Sequence, residues 1–151
     1  MNASDMMSRL VSHALAAGLF ESANKHEPKK APGTGGLSAA IWVQNVDPIP
    51  TGSGLAATTV RVEFSVRIYS SMLQEPQDSI DPAIVHAVDV LITKYSADFT
   101  LDGTIRMIDL LGQFGVPLSA EAGYLQVDQH MFRVMTITVP LIVDDAYTQA
   151  P

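Results

Sequence analysis

Cysteine is absent from the 151 residues. That excludes disulfide staples, thiolate zinc sites and cysteine nucleophiles. Charge is sparse, at 17 % of the chain, and basic charge is sparser still, with nine Lys and Arg against sixteen Asp and Glu for a net charge of -7. Nucleic-acid binders need clustered Lys and Arg to neutralise phosphate. The one short basic cluster here, Lys25 to Lys30, reads as a solvated loop. No apolar run approaches the length of a membrane-spanning helix, so no membrane partner is expected. The first residues lack a basic flank ahead of an apolar stretch, so no secretory signal is expected. No internal repeat is visible.

What is present is a 16.2 kDa chain with 47 % apolar residues. One domain of this size buries enough surface to be stable without staples, and the composition excludes disordered and collagen-like chains. The charge is uneven. Residues 1–30 sum to +1, from four basic groups and three acids, while the remaining 121 residues sum to -8.

Apolar periodicity orders the elements. Ser4–Phe20 reads as a helix capped by Ser4, with Asp5 in its first turn and Met7, Leu10, Val11, Ala14 and Leu15 as its apolar stripe. Residues 21–36 carry prolines, glycines and the basic cluster, and read as a long loop. Leu37–Val46 reads as a strand. Thr58–Tyr69 is the clearest element. Val60, Val62, Phe64, Val66 and Ile68 alternate with Arg61, Glu63, Ser65, Arg67 and Tyr69, which places the aliphatic side chains on one face. These two strands form a hairpin with a connection, Asp47–Ala57, longer than hairpins need.

Ser70–Ile80 is irregular. Asp81-Pro82 opens a second helix that ends near Ala97, with Ile84, Val88, Leu91 and Tyr95 facing a core. Thr104–Leu111, Tyr124–Val127 and Met131–Val143 read as strands. Asp128-Gln129-His130 is a tight turn, and Pro140 implies an edge or bulge. Residues 112–123 read as a loop, and residues 144–151 as a polar tail. The order α-β-β-α-β-β-β predicts a single α+β domain, an antiparallel or mixed sheet flanked by two main helices.

Motifs for chemistry are weak. Gly52-x-Gly54-x-x-Ala57 matches a dinucleotide fingerprint, but a strand follows it where the mechanism needs a helix. Gly33-x-Gly35-Gly36 lacks the Lys-Ser or Lys-Thr of a phosphate loop. His13, His26, His86 and His130 show no metal-ligand spacing. Asp144-Asp145 falls short of the oxygen ligands a hard cation needs. No catalytic, cofactor or metal residues are expected. Asp109 interrupts an apolar strand and stands as either a perturbed base or, preferably, the partner of Arg106 or Arg133.

Four stretches together resemble the tail terminator proteins of long-tailed phages infecting actinobacteria. They are His26–Val43, Ser53–Leu73, Glu75–Pro82 and Leu101–Asp145. The element order also looks like the broader terminator fold of lambda-like phages. The resemblance implies a non-catalytic virion protein. It implies a ring, typically a hexamer of the chain with itself, on the head-proximal end of the tail tube. Such a ring stops polymerisation of the tube protein and offers a surface to head–tail connector and neck proteins. Genomic DNA passes through its lumen without specific binding, and assembly takes place in the host cytoplasm. Pro48, Pro50, Gly52, Gly54, Arg61, Glu63, Arg67, Glu75 and Asp78 are the expected subunit or tube contacts. The alternatives are another neck protein, either a tail completion or a connector subunit, and a small α+β ligand-binding enzyme using Asp109.

Overall fold

A computed structural model describes residues 1–28, 36–54, 56–73 and 77–150. The basic residues Lys29 and Lys30, the Gly33-x-Gly35 pair and Glu75 lie outside the described residues. Helix α1 spans Ala3–Ala17. Its cap is Asn2, not Ser4, because the Asn2 side chain reaches the Asp5 amide at 3.0 Å. It stops at Gly18, whose φ of 69° is a left-handed geometry that favours glycine. Met6, Leu10, Val11 and Ala14 are buried on one face, whereas Leu15 is exposed. Helix α2 spans Ile80–Ala97 and buries Ile84, Ala87, Val88, Leu91 and Tyr95. Pro82 falls in its first turn, where a missing N–H costs nothing.

The strands are β1 Phe20–Asn24, β2 Leu37–Pro48, β3 Ala57–Ser71, β4 Met107–Ile108, β5 Ser119–Val127 and β6 His130–Thr148. They form one mixed six-stranded sheet in the order β1-β2-β3-β6-β4, with β5 also pairing β6. Only β1 and β2 run parallel. The class is α+β, as its sequence predicts.

Several bounds differ from the sequence reading. Strand β1 begins inside the expected loop, β5 begins at Ser119 rather than Tyr124, and β4 keeps two residues of the expected Thr104–Leu111. The expected polar tail is strand. Between Thr58 and Val60 the partner register jumps from Tyr147 to Val143, and Asp145 takes φ 50°. A bulge there absorbs the acidic pair, and β6 resumes beyond it. Asp128 and Gln129 both have positive φ and join β5 to β6 by a two-residue turn. Pro140 lies in β6, inside the sheet, not at its edge. Its carbonyl accepts from the Asp109 amide at 2.9 Å, so its nitrogen faces the junction where β5 gives way to β4 and no donor is needed.

The alternation in β3 sorts the two faces. Val60, Val62, Phe64, Val66 and Ile68 join both helices, Ile41, Ile137, Val139 and Leu141 in the main core. The opposite face has no helix layer among the described residues. It carries a small second cluster, Ala40, Tyr69, Phe132 and Val134, covered in part by Trp42, Leu125 and Val127.

Candidate functional site

Three of the nine expected contact residues stand on the helix-free face, and the others that are described lie at its two ends. Arg61, Glu63 and Arg67 stand in a row along β3. Arg61 is a hub. It approaches Asp47 at 3.3 Å and Glu63 at 3.6 Å, and donates to the Phe114 carbonyl at 2.8 Å. The last bond draws the loop after β4 over this end of the sheet. Gly112 has φ 76° there, and any β-carbon on it would press on Pro117 at 3.2 Å. Arg67 donates to Thr136 at 2.9 Å, stacks over Trp42 at 5.2 Å and lies 3.9 Å from Glu27. The sheet centre is thus a polar strip of balanced charge. A shallow cleft of about 350 Å³ lined by Ser119, Glu121, Thr136 and Thr138 runs beside it.

Pro48, Pro50, Gly52 and Gly54 lie at or near the β2–β3 connection, and Asp78 lies in a short turn ahead of α2. These two groups flank opposite ends of the fifteen-residue β3. At about 3.3 Å per residue they are on the order of 45 Å apart, too far for one patch. The connection is no loose arm. Ser53 Oγ donates to the Ile49 carbonyl at 2.7 Å and accepts from the Thr59 amide at 3.1 Å, and Ile49 is buried.

Asp109 pairs with neither arginine. It is fully buried, and its two carboxylate oxygens accept from the Gln113 and Phe114 amides, each at 2.8 Å. Its own amide and carbonyl bond Pro140 and Leu118. Every polar atom of the residue is spent on backbone, which makes Asp109 the anchor of the 110–118 loop. Arg106 instead grips Asp144, with contacts at 2.7 and 2.8 Å. Arg133 meets Asp81 at 3.0 Å and lies over the Tyr124 ring at 4.5 Å.

His13 contacts Asp98 at 2.8 Å and packs edge-on to Tyr95, tying α1 to the end of α2. Among the described residues no group of three or more His, Asp or Glu is placed to hold a metal ion. No helix among them is long and apolar enough to cross a membrane.

Two carboxyls give the fold an acid limit. Burial raises the Asp98 carboxyl, but hydrogen bonds from His13 and the Asp102 amide, with the charges of His13 and Arg9, leave it below its ordinary 3.8. The Arg106 hydrogen bond lowers the Asp144 carboxyl most, against burial and with help from Thr59. A lowered folded value means the stabilisation is complete above the ordinary value and is lost as pH falls through the folded one. Thermal melts from pH 7 to pH 2 are therefore expected to fall steepest below about pH 4. The double variant Asp98→Asn, Asp144→Asn is expected to melt lower at pH 7 and to show a shallower acid limb.

No family model matches the chain, and no curated protein matches it by sequence.

Of the features on this face, the sequence reading missed the Arg61 hub and the full length of β5. The first has no local signal, because Phe114 is 53 residues from Arg61. The second had a faint one: Leu125 and Val127 alternate with polar residues, but Ala120, Ala122 and Gly123 dilute the period.

Proposed function

We propose that this protein is a structural ring subunit of a phage tail, with a tail-terminator-like fold and no catalytic role. It caps the head-proximal end of the tail tube, stops addition of tube protein and presents the joining surface for neck proteins. The observation that supports this best is the helix-free sheet face. A sheet normally buries one face and leaves the other either solvated or covered by another chain. Here, among the described residues, that face carries internally neutralised arginines and a polar strip beside a shallow cleft. Such a surface suits protein neighbours and does not hold DNA. The net charge of -7 fits passage of DNA without adhesion. The resemblance of residues 26–145 to tail terminators supplies the identity of those neighbours.

Closure of a ring needs two different, complementary patches on each subunit. The ends of β3 supply two loops that are well separated, as neighbouring contacts require. Native mass spectrometry at high protein concentration, with and without tube protein, tests the reading. A mass near six chains, alone or on tubes, is expected. A single chain under both conditions overturns it. Deleting residues 51–56, which removes the Ser53 ties, is expected to lower the melting temperature while leaving a folded chain, and to abolish tail-length control. Tails of normal length from that variant would remove the connection from the contact set.

A further inference from the structure

We propose that the free edge of β5 is a self-pairing edge, joining two copies of this chain across a two-fold axis through Gly123. The proposal goes beyond the ring reading and does not depend on it, since a ring contact is head-to-tail and this one is symmetric.

Strand β5 pairs β6 along its whole length without a register shift, and its other edge is unpaired among the described residues. Sheet edges left open in soluble proteins are guarded by Lys, Pro, bulges or shortness. The opposite edge of the sheet has such guards: β1 has only five residues and a register shift between Phe20 and Ser22. Strand β5 has none of them. It is nine residues long, contains no Pro and no Lys or Arg, and carries Glu121 as its single charge.

The occupant follows from the strand's own sequence. Gly123 is the midpoint of Ser119–Val127, so the antiparallel register with full overlap sets Gly123 against its copy. Tyr124, 62 % exposed, then faces the exposed Ala122 of the copy, a large ring over a small side chain. Glu121 faces Leu125 of the copy. The two Glu121 carboxylates stand four residues apart along the pair, about 13 Å and beyond the screening length at physiological salt. No like charges oppose, and the helices of both copies stay on one side.

The absence of cysteine makes the test clean. A β-carbon on Gly123 would meet only Val134 Cγ2, at an ordinary 3.8 Å, so substitution there leaves the fold in place. Directly opposed Cα atoms in an antiparallel pair are about 4.5–5.5 Å apart, within the span of a disulfide. Purified Gly123→Cys, exposed to oxidised glutathione, is expected to become a covalent dimer at least tenfold faster than Ala16→Cys, a control on the exposed side of α1. By light scattering over a concentration series, Gly123→Lys, which sets two ammonium groups on the axis, is expected to give half the mass of the parent chain's assembly. Circular dichroism checks that both variants are folded. Equal cross-linking rates for the two cysteine variants overturn the proposal. So does a parent chain that stays monomeric, or a Gly123→Lys chain whose assembly keeps the parent's mass, which would place the contact elsewhere.

Discussion

Asp109→Ala is expected to lower the melting temperature by on the order of 10 °C. Each amide bond to the buried carboxylate contributes about 1.5 kcal/mol or more, because the acceptor is charged. Losing both removes about 3 kcal/mol, and each kcal/mol moves a chain of this size by about 2–4 °C. Asp109→Asn keeps one oxygen but turns an amide N–H2 toward the second backbone donor, and is expected to cost at least half as much. The Gln113 and Phe114 amides would then lose their common anchor, and the loop would release its hold on Arg61 through the Phe114 carbonyl. Circular dichroism melts decide. A shift below about 2 °C in the alanine variant would show that the anchor does not hold the loop, and would reopen a chemical role for this acid.

Phe64→Ala is the second large effect. Phe64 is fully buried in the main core, on the central strand β3, flanked by Val43 on β2 and Val139 on β6. Truncating a buried Phe costs about 3–5 kcal/mol, from lost burial and the cavity left behind. Against a typical total of about 5–15 kcal/mol, that brings the variant near its unfolding threshold. Its neighbour Ser65 points to the helix-free face and bonds Gln44 at 3.3 Å. Ser65→Ala is expected to cost no more than about 1 kcal/mol, the value of one ordinary hydrogen bond. Urea titrations of the two variants measure the difference between the faces of one strand. Equal costs would mean that the helix-free face is as tightly packed as the core.

The contrast between those neighbours also explains what the sequence made legible. Strand β3 alternates without a break, so its faces can be assigned before any coordinates are known. Both helices carry enough apolar side chains at helical spacing to be placed within a few residues. Strand β1 could not be found, because Phe20-Glu21-Ser22-Ala23-Asn24 has no alternation and depends on its pairing with β2. The end of β6 was hidden because Asp144 and Asp145 look like a solvated tail, and only a bulge reconciles them with a strand. The partners of Asp109 were within reach. An acid whose carboxylate bonds amides four and five residues ahead is a local turn device, a habit of Asp that needs no arginine. The expected contact set rests on residue type and loop length, and those properties carry no information on the separation that β3 imposes.

The place of β6 in the sheet has a consequence for biosynthesis. Strand β6 is made after the other described elements, yet β3, β4 and β5 all pair with it. Until it emerges from the ribosome, β1 and both helices can settle on the β2–β3 hairpin, but the far edge of β3 stays bare. Pairing Ser71 with Phe132 and Ala57 with Thr148 spans 61 and 91 residues of chain. Contacts of such range close slowly, and the waiting hairpin is the species most open to aggregation. Yield of soluble chain in a host should therefore follow the speed of translation between Ser71 and Phe132 more closely than the stability of the finished fold.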